Sequence, residues 1–223
     1  MSLLNNLVIV GLGEILMDIF EDGTATLGGA PLNVAFHCHQ LFAAAGGGTG
    51  TIVSAIGRDA WADHIENELV AAGLSTEYLQ RSELSTGTAI VRVANGEAGF
   101  EITSDVAWDR LRATCATDVL AARCNGVAFG SLAQRSDVSR TMIRDFVGRV
   151  SGIRLYDVNL RRNATNGIPG YNEDIVASSC ALANIVKMNL AELHELSTRS
   201  VFARAVAKAP IGRFSKLSGI VSP

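Results

Sequence analysis

The sequence is poor in the features that mark several common protein classes. It has four cysteines, Cys38, Cys115, Cys124 and Cys180, and no two stand in a CxxC spacing. Scattered thiols fit a reducing compartment better than a disulfide framework. Charged residues are only 18% of the chain and sum to a net charge of -3, which gives no general attraction to nucleic acid or to an anionic membrane. No apolar run is long enough to span a bilayer. No basic segment with a small-residue cleavage site opens the chain, so a cytoplasmic location is expected. GxSxG and GxxxxGK(S/T) are both absent, which removes support for a serine hydrolase or a P-loop nucleotidase.

What remains is apolar and rich in glycine: 48% hydrophobic residues and 22 glycines in 223. That profile suits a buried α/β sheet crossed by tight turns. Strand-like runs (LVIVGL, TIVSAIG, NGVAFG, IRLYDVNL, NIVKMN) alternate with helical patterns, beginning at Pro31 and continuing through WADHIENELVAAG, DVSRTMIRDFVGRV and NEDIVASSCALA. Such alternation predicts a mostly parallel sheet with helices on both faces. TGTAIVRVANGEAGFEI breaks the rhythm, because Asn95-Gly96 between alternating apolar runs is a strong hairpin signal. With EILMDIF and TATL it predicts a small β-lid outside the main sheet, from strands at about 14–27 and 87–103.

Two conspicuous patterns lead nowhere. Gly11-Leu12-Gly13 after the first strand suggests a dinucleotide fingerprint, but the third glycine position holds Leu16 and ILMDIF reads as more strand. His37-Cys38-His39 suggests a metal site, yet on a helix residues two apart diverge by about 200°. The tail from Arg199 to Lys216 carries five basic residues and no acidic one, and reads as a solvated helix face, with an anion-binding role the lesser alternative.

Four polar clusters fall at strand ends and helix starts. In GGAPLNVA, Gly28 and Gly29 allow close backbone approach, Pro31 suits a first helical turn, and Asn33 follows among free N–H groups. Asp18 is an acceptor able to take two hydroxyls. DVNLR offers Asp157, Asn159 and Arg161, which share a side if the strand runs on. KMNLAE offers Lys187, Asn189 and Glu192, a set suited to phosphate and hydrated Mg2+.

Taken in order, GGAPLNVA, VSAIGRDAWADHIENELVAAGLST, STGTAIV, VAWD, FGS, DVNLR and KMNLAE resemble the ribokinase-like (PfkB-type) sugar kinases, from Leu7 to about Leu196. The resemblance implies an ATP-dependent transfer of phosphate to a sugar hydroxyl, with ATP and Mg2+ as cofactors. It gives sugar binding to Asp18, Gly28, Gly29 and Asn33, to Thr88, Ile90 and Phe100 of the lid, and to Asp157, Asn159 and Arg161. It places Lys187, Asn189 and Glu192 near the phosphates, with Glu192 reaching Mg2+ indirectly, and it implies a homodimer through the lid. STGTAIV, VAWD and DVNLR are most similar to the fructokinase branch; 2-keto-3-deoxygluconate kinases are the near neighbours, because Arg161 suits a substrate carboxylate. A nucleoside kinase of the same fold is a weaker option.

The family's base is an aspartate in G-A-G-D, and no glycine here is followed by aspartate. The expectation is therefore one incomplete ribokinase-like domain over 1–223, its C-terminal part missing, with a sheet edge exposed after Lys187. A non-catalytic sugar-binding or dimerising module is the alternative.

Overall fold

The structure is a computed structural model, which describes residues 6–94, 97–161 and 173–197. The Asn95-Gly96 turn and the basic tail lie outside the described residues. The chain starts with β1 (Val8–Leu12), β2 (Leu16–Phe20) and β3 (Ala25–Gly28), followed by α1 (Ala30–Ala44), β4 (Thr49–Ile56), α2 (Ala60–Ala71) and the short β5 (Leu79–Arg81). The hairpin strands β6 (Gly87–Ala94) and β7 (Glu97–Ile102) come next. After them are α3 (Cys115–Arg123), β8 (Gly126–Gly130), α4 (Asp137–Arg149), β9 (Ile153–Asp157), α5 (Glu173–Leu182), β10 (Ile185–Lys187) and α6 (Leu190–Ser197).

Six strands form one sheet in the order β10-β9-β8-β1-β4-β5, with every pairing parallel. Apolar side chains leave β1 and β4 on both sides, as a sheet covered on both faces requires. Ile52 and Ile56 join Leu32 and Ala35 of α1 and Ile65 and Leu69 of α2. Val10, Leu12 and Val53 face the other way and pack with Leu120 of α3, Ile143 and Phe146 of α4 and Val176 of α5. On α4, Met142, Ile143, Phe146 and Val147 recur at helical spacing and are all buried. Each contributes roughly 1.5–3 kcal/mol of transfer free energy as an upper bound. At the far edge, Ile185 and Val186 of β10 are exposed. Among the described residues no helix is long and apolar enough to cross a membrane.

The second sheet has the order β3-β2-β6-β7. Its outer pairs are antiparallel, and β2 and β6 meet in parallel. Two polar joints tie it to the larger sheet. Asp59 caps α2 by accepting from Ala62 N–H at 3.0 Å, and it also accepts from the Thr86 N–H and hydroxyl at 2.8 and 2.6 Å, just before β6. Past β7, Arg135 donates from Nε and Nη2 to the two oxygens of buried Asp109 at 2.8 and 2.7 Å, and to the Thr103 carbonyl at 2.6 Å. The Arg135 guanidinium also lies 4.0 Å from the centre of the buried Trp108 ring.

Candidate functional site

The site draws on residues of both sheets, and it begins at the end of β1. Gly13 donates to the Val53 carbonyl at 3.1 Å and accepts from the Ser54 hydroxyl at 2.6 Å. The chain then turns out of the main sheet into β2. The opening glycines thus lead from strand to strand, with no helix between. At the start of α1, Gly29 has φ 124° and caps the helix, with Pro31 in its first turn. A side chain at Gly29 would also sit 2.5 Å from the Glu14 carbonyl oxygen. Glycine is the residue that fits there.

Gly28 makes the next close approach. A Cβ there would fall 2.3 Å from the Asp18 carboxylate, so the missing side chain is the room in which that carboxylate sits. Asp18 is half-buried. Burial raises its pKa and the charge of Arg161 draws it back down. Among the described residues no hydrogen bond occupies the carboxylate, which leaves it open to a ligand's hydroxyls.

Arg161 comes from the opposite side, beyond the end of β9. Its guanidinium lies 4.5 Å from the centre of the Phe100 ring on β7, a cation–π contact reaching from the large sheet to the small one. Glu14, next after Gly13, is 2% exposed, and among the described residues its Oε2 has no hydrogen-bond partner. Burial lifts its pKa to about 7, against hydrogen bonding from its own backbone N–H, the charge of Arg161 and the Ala133 N–H; the charge of Asp157 adds to the rise.

The expected alternation of DVNLR is not what the backbone does. Strand β9 stops at Asp157, Val158 is buried, and Asn159 has φ 36° in the left-handed region. The Ser131 hydroxyl of FGS holds this bend by donating to the Val158 carbonyl at 2.8 Å, with the Tyr156 hydroxyl 2.6 Å away. Asp157, Asn159 and Arg161 therefore do not share a strand face. Asp157 and Arg161 are still brought together, as the two charges that act on Glu14.

Lys187 pairs with Asp157 across β10 and β9, its ammonium 3.0 and 2.9 Å from the two carboxylate oxygens. Asn189 and Glu192 form a reciprocal cap on α6. The Asn189 side chain accepts from Glu192 N–H, and Glu192 Oε2 accepts from Asn189 N–H, both at 2.8 Å. The other carboxylate oxygen of Glu192 accepts from Leu160 N–H at 2.8 Å. Both oxygens of this buried side chain are thus engaged by backbone, and one of them anchors the loop that carries Arg161.

The family model for pfkB family carbohydrate kinases matches residues 9–125, more than half of the chain. The chain belongs to the PfkB family. A curated sugar kinase of Pyrococcus horikoshii is 25% identical over 207 residues, 87% of this chain and 65% of that protein. This PfkB chain therefore spans less than two thirds of that relative's length. The crystal structure of an uncharacterized sugar kinase from Pyrococcus horikoshii superposes with a TM-score of 0.73 at 24% identity, over 87% of this chain and 66% of that one. A fructokinase from Xylella fastidiosa gives 0.72 at 22% identity, over 90% of this chain and 66% of that one. These likenesses establish the ribokinase-like fold.

Within the PfkB chain the sequence candidates divide. Asp18, Gly28, Gly29, Phe100, Asp157 and Arg161 converge on one region. Asn33 is an exposed residue in the first turn of α1, its N–H bonded to the Gly29 carbonyl at 3.0 Å. Thr88 and Ile90 point elsewhere. On β6 they stand beside Met17 and Ile19 of β2, whereas Asp18 stands beside Ala89. Phe100 stands beside Val91. Alternation puts Asp18 and Phe100 on one face of the small sheet and Thr88 and Ile90 on the other. Thr88 spends its hydroxyl on Thr103, 2.8 Å away. The residue that the sequence reading passed over is Glu14. Its signal was one acid directly after Gly13, in the otherwise apolar stretch VIVGLGEILM. His37 and His39 also separate: His37 packs edge-on against Phe36, while His39 Nδ1 lies 3.3 Å from the Thr49 hydroxyl.

Proposed function

We propose that these residues form the sugar-holding side of an ATP-dependent sugar kinase of fructokinase type. The observation that carries this is the open Asp18 carboxylate, half-buried in the space that Gly28 leaves, opposite the Arg161–Phe100 pair. Such a carboxylate accepts from two adjacent hydroxyls of a sugar, and the aromatic ring offers an apolar wall to its carbon face. Family membership and the fold support the same reading.

ATP, when bound, supplies the phosphoryl group that goes to a sugar hydroxyl. Lys187 fits the phosphate end: its side chain is 64% exposed and is held by one carboxylate, from which it can swing to an incoming anion. Glu192 does not fit as a direct Mg2+ ligand, because both its oxygens serve backbone N–H groups. Any contact with the ion runs through water or phosphate, as Mg2+ commonly permits. No Gly-Asp pair occurs in the 223 residues. The proposal therefore gives them the holding of sugar and phosphate, and leaves acceptance of the hydroxyl proton to a residue outside them. The small sheet acts as a lid over the sugar and as the surface for a second copy, with Ile90 exposed on the face opposite Asp18.

The specific observation favouring a second substrate, 2-keto-3-deoxygluconate, is the Arg161 guanidinium, which suits a carboxylate. Titration calorimetry with fructose and with 2-keto-3-deoxygluconate, beside ADP release from ATP–Mg2+, tests the reading. Binding that Asp18→Ala abolishes is expected. Folded protein that binds neither sugar overturns it, and turnover by the 223 residues alone would place the proton acceptor within them.

A further inference from the structure

A cleft of about 420 Å³ opens at the β5 edge of the larger sheet. Gln80 and Arg81 of β5 line it, with Ser82 and Leu84 on the way into β6 and Arg110 and Arg112 on the way out of β7. None of the proposed sugar-site residues takes part. Its volume falls within the roughly 300–1,000 Å³ of small-molecule sites. Leu111 is fully buried with φ -58° and ψ 132°, so the chain is extended here, and Arg110 and Arg112 stand together on the side away from it. The stretch is fixed in place. Leu111 N–H donates to the Ser139 hydroxyl at 3.0 Å, and the Gln80 side chain donates to the Arg112 carbonyl at 2.7 Å and accepts from Arg112 N–H at 3.1 Å.

The other charges of the cleft are engaged. Glu83 accepts from Arg58 at 2.9 Å, while Arg81 donates to the Gly57 carbonyl at 3.0 Å and pairs with Glu66. Arg110 donates to Asp105 at 2.9 Å, but the two side chains are 44% and 66% exposed, and a pair so screened by solvent yields readily to an incoming anion. Among the described residues the Arg112 side chain has no partner. The Ser82 hydroxyl accepts from Leu84 N–H at 3.1 Å, and its own proton remains to be donated.

We propose that this cleft binds a phosphate monoester of a small polar molecule, with Arg110 and Arg112 forking the phosphate and Ser82 donating to it. One arginine fork fills the two oxygens of a carboxylate. Two forks and a hydroxyl match the three terminal oxygens and double charge of a phosphate monoester. Ala55 and Leu84 wall the remaining space, which inorganic phosphate alone leaves unfilled. Because Ser82 precedes β6 and Arg110 follows β7, the ligand joins the two connections between the sheets. The inference does not depend on the sugar-binding reading.

The test is titration calorimetry of the 223-residue chain with D-glucose 6-phosphate and with inorganic phosphate. The ester is expected to bind, and more tightly than inorganic phosphate. Its affinity should rise about tenfold from about pH 5 to about pH 7, as the second phosphate proton leaves near about pH 6. Arg110→Gln and Arg112→Gln should each lower it about tenfold or more, through loss of one charge-assisted pair, whereas Asp18→Ala should leave it unchanged. Both arginines are exposed, so both variants should keep the wild-type urea midpoint. The inference is overturned by folded protein that gives no heat with the ester, by an affinity that does not change with pH, or by one that survives both arginine variants. Equal affinity for inorganic phosphate overturns it too, as does loss of ester binding in Asp18→Ala, which would move the ester to the proposed sugar site.

Discussion

Replacing Glu14 by glutamine should change how stability depends on pH. The wild-type carboxyl is raised from 4.5 to about 7 by burial. The folded state therefore binds this proton more tightly than the unfolded state does. Between the two values unfolding releases a proton, so stability falls as pH rises; the contribution is fully present below 4.5 and lost above about 7. The rise is about 2.5 pKa units, which at about 1.4 kcal/mol each amounts to about 3 kcal/mol. Glutamine has the same shape and no charge, so this component vanishes in Glu14→Gln. Urea unfolding of both proteins from about pH 5 to about pH 8 reads it directly. With a slope of about 2 kcal/mol per molar urea, the wild-type midpoint should drop by about 1.5 M more than the variant's over that window. A constant offset between the two curves is immaterial, since the amide makes its own contacts. Parallel curves would refute the argument, for they would mean that Glu14 is ionised at little cost and that water reaches it.

Three further outcomes follow from the geometry. Gly28→Ala places a methyl group 2.3 Å from the Asp18 carboxylate; sugar affinity should fall by about tenfold or more in a protein that still folds, overpacking costing about 1–3 kcal/mol, and unchanged affinity in calorimetry would place the sugar elsewhere. Asp109→Asn leaves the Arg135 guanidinium without its charged partner beneath the small sheet, and should cost about 3–5 kcal/mol in denaturant unfolding; a loss below about 1 kcal/mol would show the pair to be screened by solvent. Glu192→Gln sets an amide NH2 against a backbone N–H at Leu160 or Asn189, and should weaken sugar binding even with nucleotide and Mg2+ absent. A change confined to the Mg2+ dependence of turnover would instead make Glu192 a metal-site residue.

Much of the fold is legible in the sequence, because period and punctuation agree. The apolar runs of β1, β4 and β8 and the helical spacing of α2 and α4 state their own structure, and the direct passage from Gly13 into β2 follows from the lack of a third glycine. The elements that escape have weak local signals. Strand β5 is three residues long, and α3 buries Thr117, Leu120 and Ala121 while Val119 faces solvent. The site was read less well, since its geometry depends on relations across the chain. Nothing near Asn159 announces a positive φ; the bend is held by Ser131 and Glu192, which lie on other elements. Thr88 and Ile90 were grouped with Asp18 because the register of β2 against β6 cannot be seen from either strand alone. The Lys187–Asp157 pair and the burial of Glu14 likewise exist only once distant strands lie side by side.

The parallel seam between β2 and β6 has a consequence for the order of folding. Each outer pair of the small sheet is antiparallel, and β2–β3 and β6–β7 each join strands that follow one another in the chain. The seam joins Asp18 to Ala89 across α1, β4, α2 and β5, so it has to close a long loop before it gains anything. The two hairpins can form early and independently. The face that Asp18 shares with Phe100 cannot exist until the intervening β4–α2–β5 unit has docked. The proposed sugar-facing surface is then a late product of folding and among the first parts to come apart. A ligand held between Asp18 and Arg161 would act as a clasp on that seam, lending the small sheet a persistence that its own hairpins do not supply.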